Sequence, residues 1–190
     1  MSLLAEVVVE EWLNRQGYFT IRGVKLGIDE IDILAIRPLP DGSIEHRHIE
    51  VQASFKPMSY ITPLPKAVRK DLGQVTSAKK RSPELLSQAV QEWVHKKYHK
   101  PNKKKLFEAL GDGWSKELVL HNVMHQDEIE LIRGHGIEIL SLGDIVKALR
   151  SDKTLIKKAS GSDLLELMYL ASAGDSTVAE VVEAATDVET

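Results

Sequence analysis

Two acidic residues on neighbouring apolar stretches, Asp32 and Glu50, are the side chains best placed to do chemistry. Asp32 lies in the run G-I-D-E-I-D-I-L-A-I, residues 27–36, and Glu50 in H-R-H-I-E-V-Q-A-S, residues 46–54. Side chains alternate along an extended strand, so His48, Glu50 and Gln52 share one face while Ile49 and Val51 point to the other, buried one. On the preceding stretch Ile31, Ile33 and Ala35 share a face and Asp32 takes the opposite one, and a hairpin sets Asp32 beside Glu50. Two adjacent carboxylates repel, and one keeps a proton, unless a divalent cation or a basic group lies between them. Mg²⁺ or Mn²⁺ suits an all-oxygen site, retains water as a source of nucleophile, and bridges to phosphate. The reading requires both acids on one side of the sheet with room for a cation. If Glu50 is pinned in an internal salt bridge with no room for a cation, a charged binding protein is what remains.

The elements that must hold these residues are legible from periodicity. Leu4, Val7, Val8, Trp12 and Leu13 recur at helical spacing and predict an amphipathic helix ending near Gly17. Strands follow at 18–22, 30–37 and 44–53, with a turn region at 23–27 and turn chemistry in Pro40, Asp41, Gly42 and Ser43. Val68, Leu72 and Val75 stripe a helix between Pro63 and Arg81, and Ser82 with Pro83 opens another that runs to about His99. A short helix reaches Leu110. Strands at 117–123 and 137–142 enclose a helix at 126–133, and a closing helix spans 143–149. Helix, three strands, helices, then strand, helix, strand predict an α/β domain, a mixed β-sheet flanked by helices, over residues 1–150. Residues 151–190 form an acidic extension with short helices at 163–173 and 177–185, expected to pack on the core or to mediate self-association.

Composition bounds the partners. The chain has 190 residues, a formal net charge of -3 and no cysteine, so thiolate metal sites, disulfides and cysteine nucleophiles are excluded. No apolar run approaches the roughly 20 residues that cross a bilayer, and no basic leader opens the sequence, which predicts a cytoplasmic protein without a membrane partner. Charge is unevenly spread. Twelve Lys or Arg between Lys66 and Lys105 face only Asp71, Glu84 and Glu92, whereas beyond Lys158 seven acids stand without a base. A basic segment of that kind predicts a polyanion partner, with Lys70, Lys79, Lys80, Arg81, Lys96, Lys97, Lys100, Lys103, Lys104 and Lys105 as phosphate contacts. No recognition-helix signature accompanies it, so the expected DNA binding is not sequence-specific. His95 with His99, and His121 with His125, have four-residue spacing but lack the H-E-x-x-H glutamate, which favours surface histidines over a zinc site.

This arrangement resembles the PD-(D/E)xK, or restriction-endonuclease-like, superfamily, in particular the branch of Mrr-type, Holliday-junction resolvase and RecB-type nuclease domains. The resemblance covers about residues 1–145. It rests on E-I-D at 30–32 and I-E-V-Q at 49–52, whose last residue, Gln52, stands where the family has lysine. It implies a restriction-endonuclease-like fold, Asp32 and Glu50 as metal ligands, Glu6 on the first helix and Gln74 on a later one as supporting site residues, and Gln52 orienting water. An amide orients water but brings no positive charge, so the resemblance implies one of three outcomes: an active variant in which Gln52 serves and the metal does more of the work, a lysine from elsewhere, with Lys56 and Lys70 as candidates, or lost catalysis. The function expected is Mg²⁺-dependent hydrolysis of DNA phosphodiesters. The alternative is a non-catalytic nucleic-acid-binding or assembly module on the same fold.

Overall fold

Apolar residues at three- and four-residue intervals bury one side of α1 (Ser2–Arg15), with Ala5, Val8, Val9 and Leu13 in the core. Gly17, at φ +86°, lets the chain reverse directly into β1 (Phe19–Leu26). This is a computed structural model, which describes residues 2–54, 58–72, 80–150, 154–159, 161–164, 166–167 and 170. β2 (Asp29–Pro38) and β3 (Ile44–Gln52) are joined by the expected turn, in which Asp41 Oδ1 accepts from the Ser43 main-chain N–H at 2.9 Å. Next come α2 (Lys66–Leu72), α3 (Pro83–Tyr98) and α4 (Pro101–Leu110). Ser82 caps α3 by accepting from Leu85 N at 3.3 Å, and Pro83 and Pro101 stand at the first helical positions. The chain then alternates through β4 (Trp114–Leu120), α5 (Gln126–Gly134), β5 (Glu138–Ser141) and α6 (Leu142–Leu149).

The five strands form one mixed sheet in sequence order, β1 to β3 antiparallel and β3 to β5 parallel. The α/β class read from the pattern is therefore what the chain adopts. One correction concerns residues 23–27. Instead of a turn region, β1 runs on to Leu26, and the turn is confined to Gly27 and Ile28.

A second correction bears on the site. Ile33, Ala35, Ile49, Val51 and Val119 pack against α1 and α6. Leu118 and Leu120 on the opposite face pack against Val90, Trp93 and Val94 of α3 and Ile129 and Ile132 of α5. Both faces are covered, so the His48–Glu50 face does not look outward: His48 is 1% exposed and Glu50 fully buried. Among the described residues no helix is long and apolar enough to cross a membrane.

Five glutamates are buried among the described residues, and four of them, Glu11, Glu50, Glu117 and Glu128, are matched by donors, as a charge removed from water must be. Glu117 binds Arg47, whose guanidinium also lies over the rings of Trp12 and Tyr18. Glu128, near the start of α5, accepts from Ile61 N, Thr62 N and Thr62 Oγ1 at 2.6–2.9 Å and so fixes the chain beyond β3. Glu11 accepts from Arg15 Nε, Gly161 N and Ser162 Oγ at 2.6–2.8 Å, which ties the start of the extension to α1. The helix expected at 177–185 and most of that at 163–173 lie outside the described residues. Glu50 is the fourth.

Candidate active site

The β2–β3 ladder pairs Ile33 with Ile49 and stops there. The next main-chain donor of β3, Val51 N–H, is taken by Oδ2 of Asp32 at 2.8 Å, so a carboxylate replaces the carbonyl that an unbroken ladder would supply. On the other side of β2 the partner position in the register is Gly23, at φ +68°, where β1 also interrupts its pairing. The Asp32 side chain thus sits at the place where the sheet opens, next to Glu50, as the hairpin argument required.

Three donors surround Glu50. Lys97, from the last turn of α3, gives its ammonium to Oε2 at 2.7 Å and lies 4.0 Å from Oδ2 of Asp32. Lys103, from α4, gives its ammonium to Oε1 at 2.6 Å and to the main-chain oxygen of Lys97 at 2.6 Å. His48 Nε2 stands 3.1 Å from Oε1, with its ring between those of Tyr98 and Phe107. Burial holds His48 below its ordinary pKa against the pull of Glu50, so the ring is neutral and donates its Nε2–H. Burial pushes the Glu50 carboxyl up, but the His48 hydrogen bond and the charges of Lys97 and Lys103 outweigh it and hold it at about 2. Asp32 moves the other way. Burial, then the charge of Glu50, raise it to about 6, with Lys97 and the Val51 N–H opposing and buried Glu6 adding to the rise. The two acids therefore split, as coupled carboxylates do, and the shared proton belongs to Asp32.

Lys97 opens onto a groove of about 800 Å³ that also touches Gln52 at the end of β3. Among the described residues Lys66, Arg69, Lys96 and Lys100 line it with Lys97, against the single acid Glu92. Among the described residues the buried Nε of Arg69 finds no hydrogen-bond partner. Lys100 stands 3.8 Å from Asp29, and Lys96 is exposed. A concave surface carrying five cationic side chains next to two acids with displaced pKa values is suited to an anionic polymer.

Several sequence expectations change place. Gln52 commits one amide N–H to Ile61 O at 2.9 Å, which leaves its second N–H and its Oε1. Arg81 is no phosphate contact: it is 8% exposed, donates to Thr62 Oγ1 at 3.1 Å and stacks over Tyr60 at 3.9 Å. Lys103 is likewise 1% exposed and bound to Glu50. Lys80, Lys96, Lys104 and Lys105 are exposed, Lys104 beside Glu108 at 3.7 Å. Gln74, Lys79 and Lys56 lie outside the described residues, and of Lys70 only the backbone is described. The positive charge beside Glu50 comes from Lys97 and Lys103, about fifty residues further along the chain. A buried glutamate needs a counter-ion and the segment 66–105 is the obvious reservoir, but nothing local in the sequence picks these two lysines out of twelve.

The acids offer only oxygen ligands, appropriate to Mg²⁺ or Mn²⁺, which take one or two carboxylates and complete their shell with water and phosphate. Among the described residues no group of three or more His, Asp or Glu stands ready to hold a metal ion, either at the paired histidines or around Asp32 and Glu50. Asp32 and Oε2 of Glu50, both facing the Lys97 ammonium, are the oxygens that a hard divalent ion would need here.

No family model and no curated protein matches the chain. Among solved structures it is similar to the protein of unknown function AF1548, at 12% identity and a TM-score of 0.44. The match covers 78% of this chain and 66% of that one.

Proposed function

We propose that this chain is a divalent-metal-dependent nuclease acting on DNA, with Asp32 and Glu50 as its carboxylates and Lys97 in the part that the resemblance gives to a lysine at position 52. The observation that carries the reading is the convergence of Asp32, Glu50 and the Lys97 ammonium within 4.0 Å at the edge of a basic groove. Structural ion pairs are common, but here the ammonium is part-exposed and one acid is raised to about 6. Asp32 and Oε2 of Glu50 would hold the ion. When bound, it supplies Lewis acidity at a phosphoryl oxygen and a water ionised near neutrality. Lys97 faces the negative charge that grows on the phosphate. Lys66, Arg69, Lys96 and Lys100 hold the neighbouring phosphates without reading sequence. Lys103 and His48 keep Glu50 ionised and aimed, and Glu6 sharpens the basicity of Asp32.

The full engagement of Glu50 by two ammonium groups and an imidazole favours a second reading, a nucleic-acid-binding module that does not cut. One assay separates them. Linear, nicked and branched DNA are incubated with the protein in Mg²⁺ or Mn²⁺, beside Asp32→Asn and Lys97→Met. Cutting by the natural protein that both substitutions abolish is the expected result. Binding without cutting gives the second reading, and cutting that survives Asp32→Asn removes this site from the reaction.

A further inference from the structure

The two lysines on Glu50 differ in one respect that matters. Lys103 is enclosed, and its bonds run to Glu50 Oε1 and to the Lys97 main chain. Lys97 is 29% exposed along its side chain, reaches Glu50 Oε2 from the groove rim, and shares that rim with Lys96 and Lys100. A lysine stem of four carbons swings at small cost where its head is open to water. Lys103 has no comparable exit.

Charge decides what can enter. Two carboxylates against two ammonium groups leave the cluster neutral once Asp32 is ionised. A divalent ion added to that set would place two uncompensated positive charges among buried groups, which is costly. If Lys97 withdraws, the excess falls to one, and a single phosphodiester in the groove cancels it.

Resting on the nuclease reading, we propose that Lys97 is an exchangeable counter-ion: its ammonium neutralises Asp32 and Glu50 in the free protein and yields that place to a divalent ion by turning to a phosphate in the groove. Ion and phosphate then bind with positive coupling, each favouring the Lys97 position that the other needs. Lys103 stays on Oε1 throughout and preserves the orientation of Glu50.

The test measures Mn²⁺ binding to the full chain by titration calorimetry, with no nucleic acid present. Lys97→Met and Lys97→Gln should each bind one Mn²⁺ at least about tenfold more tightly than the natural protein, a factor equal to about 1.4 kcal/mol. Adding Asp32→Asn to either should abolish the gain. Lys100→Met, which removes a charge from the same groove but not from the acids, should stay within about twofold. Equal Mn²⁺ affinity in the natural protein and in both Lys97 variants, with unfolding midpoints showing them folded, overturns the exchange. So does an equal gain from Lys100→Met, which would reduce the effect to general charge. Tight Mn²⁺ binding in the variants without DNA cutting by the natural protein upholds the exchange and defeats the nuclease reading; cutting without the gain does the reverse.

Discussion

Replacing Asp32 by asparagine should make the protein more stable at neutral pH and leave it unchanged in acid. The carboxyl lies at about 6 in the folded chain against an ordinary 3.8, because burial and the charge of Glu50 both resist its ionisation. A group raised in this way binds more protons folded than unfolded between those two values, so stability falls as pH climbs from about 4 to 6 and stays low above. Two units at 1.36 kcal/mol each amount to about 3 kcal/mol. Asparagine keeps an oxygen for the Val51 N–H and has no charge to bury. With a urea slope of about 2 kcal/mol per molar, its unfolding midpoint at pH 7 should exceed that of the natural protein by about 1.5 M, and the gap should close at pH 4. Glu50 does not blur the comparison. Its carboxyl is depressed, to about 2 from 4.5, so its contribution is complete above about 4.5 and is lost only as pH falls toward 2, in both proteins alike. Parallel curves of midpoint against pH for the two proteins would refute the reasoning, since they would mean that Asp32 ionises without cost.

Lys103→Met should destabilise by about 3–5 kcal/mol, as breaking a buried pair does, and Glu50→Gln combined with it should recover part of the loss in a urea double-mutant cycle. Two separately additive losses would show that the pair is not coupled. Glu128→Ala strands two main-chain N–H groups and the Thr62 hydroxyl; a loss of about 3 kcal/mol or more in the same measurement is expected. Lys96→Glu should weaken binding of a DNA duplex equally across sequences and lower the slope of log affinity against log salt by about 1. Arg81→Gln should lower the unfolding midpoint and leave that slope alone.

The strands and the meander could be read because alternation and turn residues are local signals: Ile31, Ile33 and Ala35 against Asp32, then Asp41 and Gly42 at the reversal. The adjacency of Asp32 and Glu50 followed from the hairpin register alone. What alternation does not carry is how many faces are covered. His48 and Glu50 look like an exposed pair until α3 and α4 are laid over them, and that packing is decided by residues far along the chain. The basic segment was visible as charge but not as assignment. Lys96 and Lys97 are neighbours in sequence, yet one is exposed and the other holds a buried acid, because a helix turns about 100° per residue. Lys103 was absorbed by the buried Glu50 and Arg81 by the Thr62 hydroxyl and the Tyr60 ring, because the demands of an interior are met in three dimensions.

The tie between Glu11 and residues 159–162 sets where the extension can be cut. A chain ended at Lys158 removes the N–H groups of Ala159 and Gly161 and the Ser162 hydroxyl, and leaves an interior anion with Arg15 alone. Gly161 also admits no larger residue cheaply, since an added Cβ would meet Glu11 at 3.0 Å. Deletions meant to ask what the acidic end does should therefore stop after Ser162; shorter ones would report an unravelled first helix in place of a missing tail.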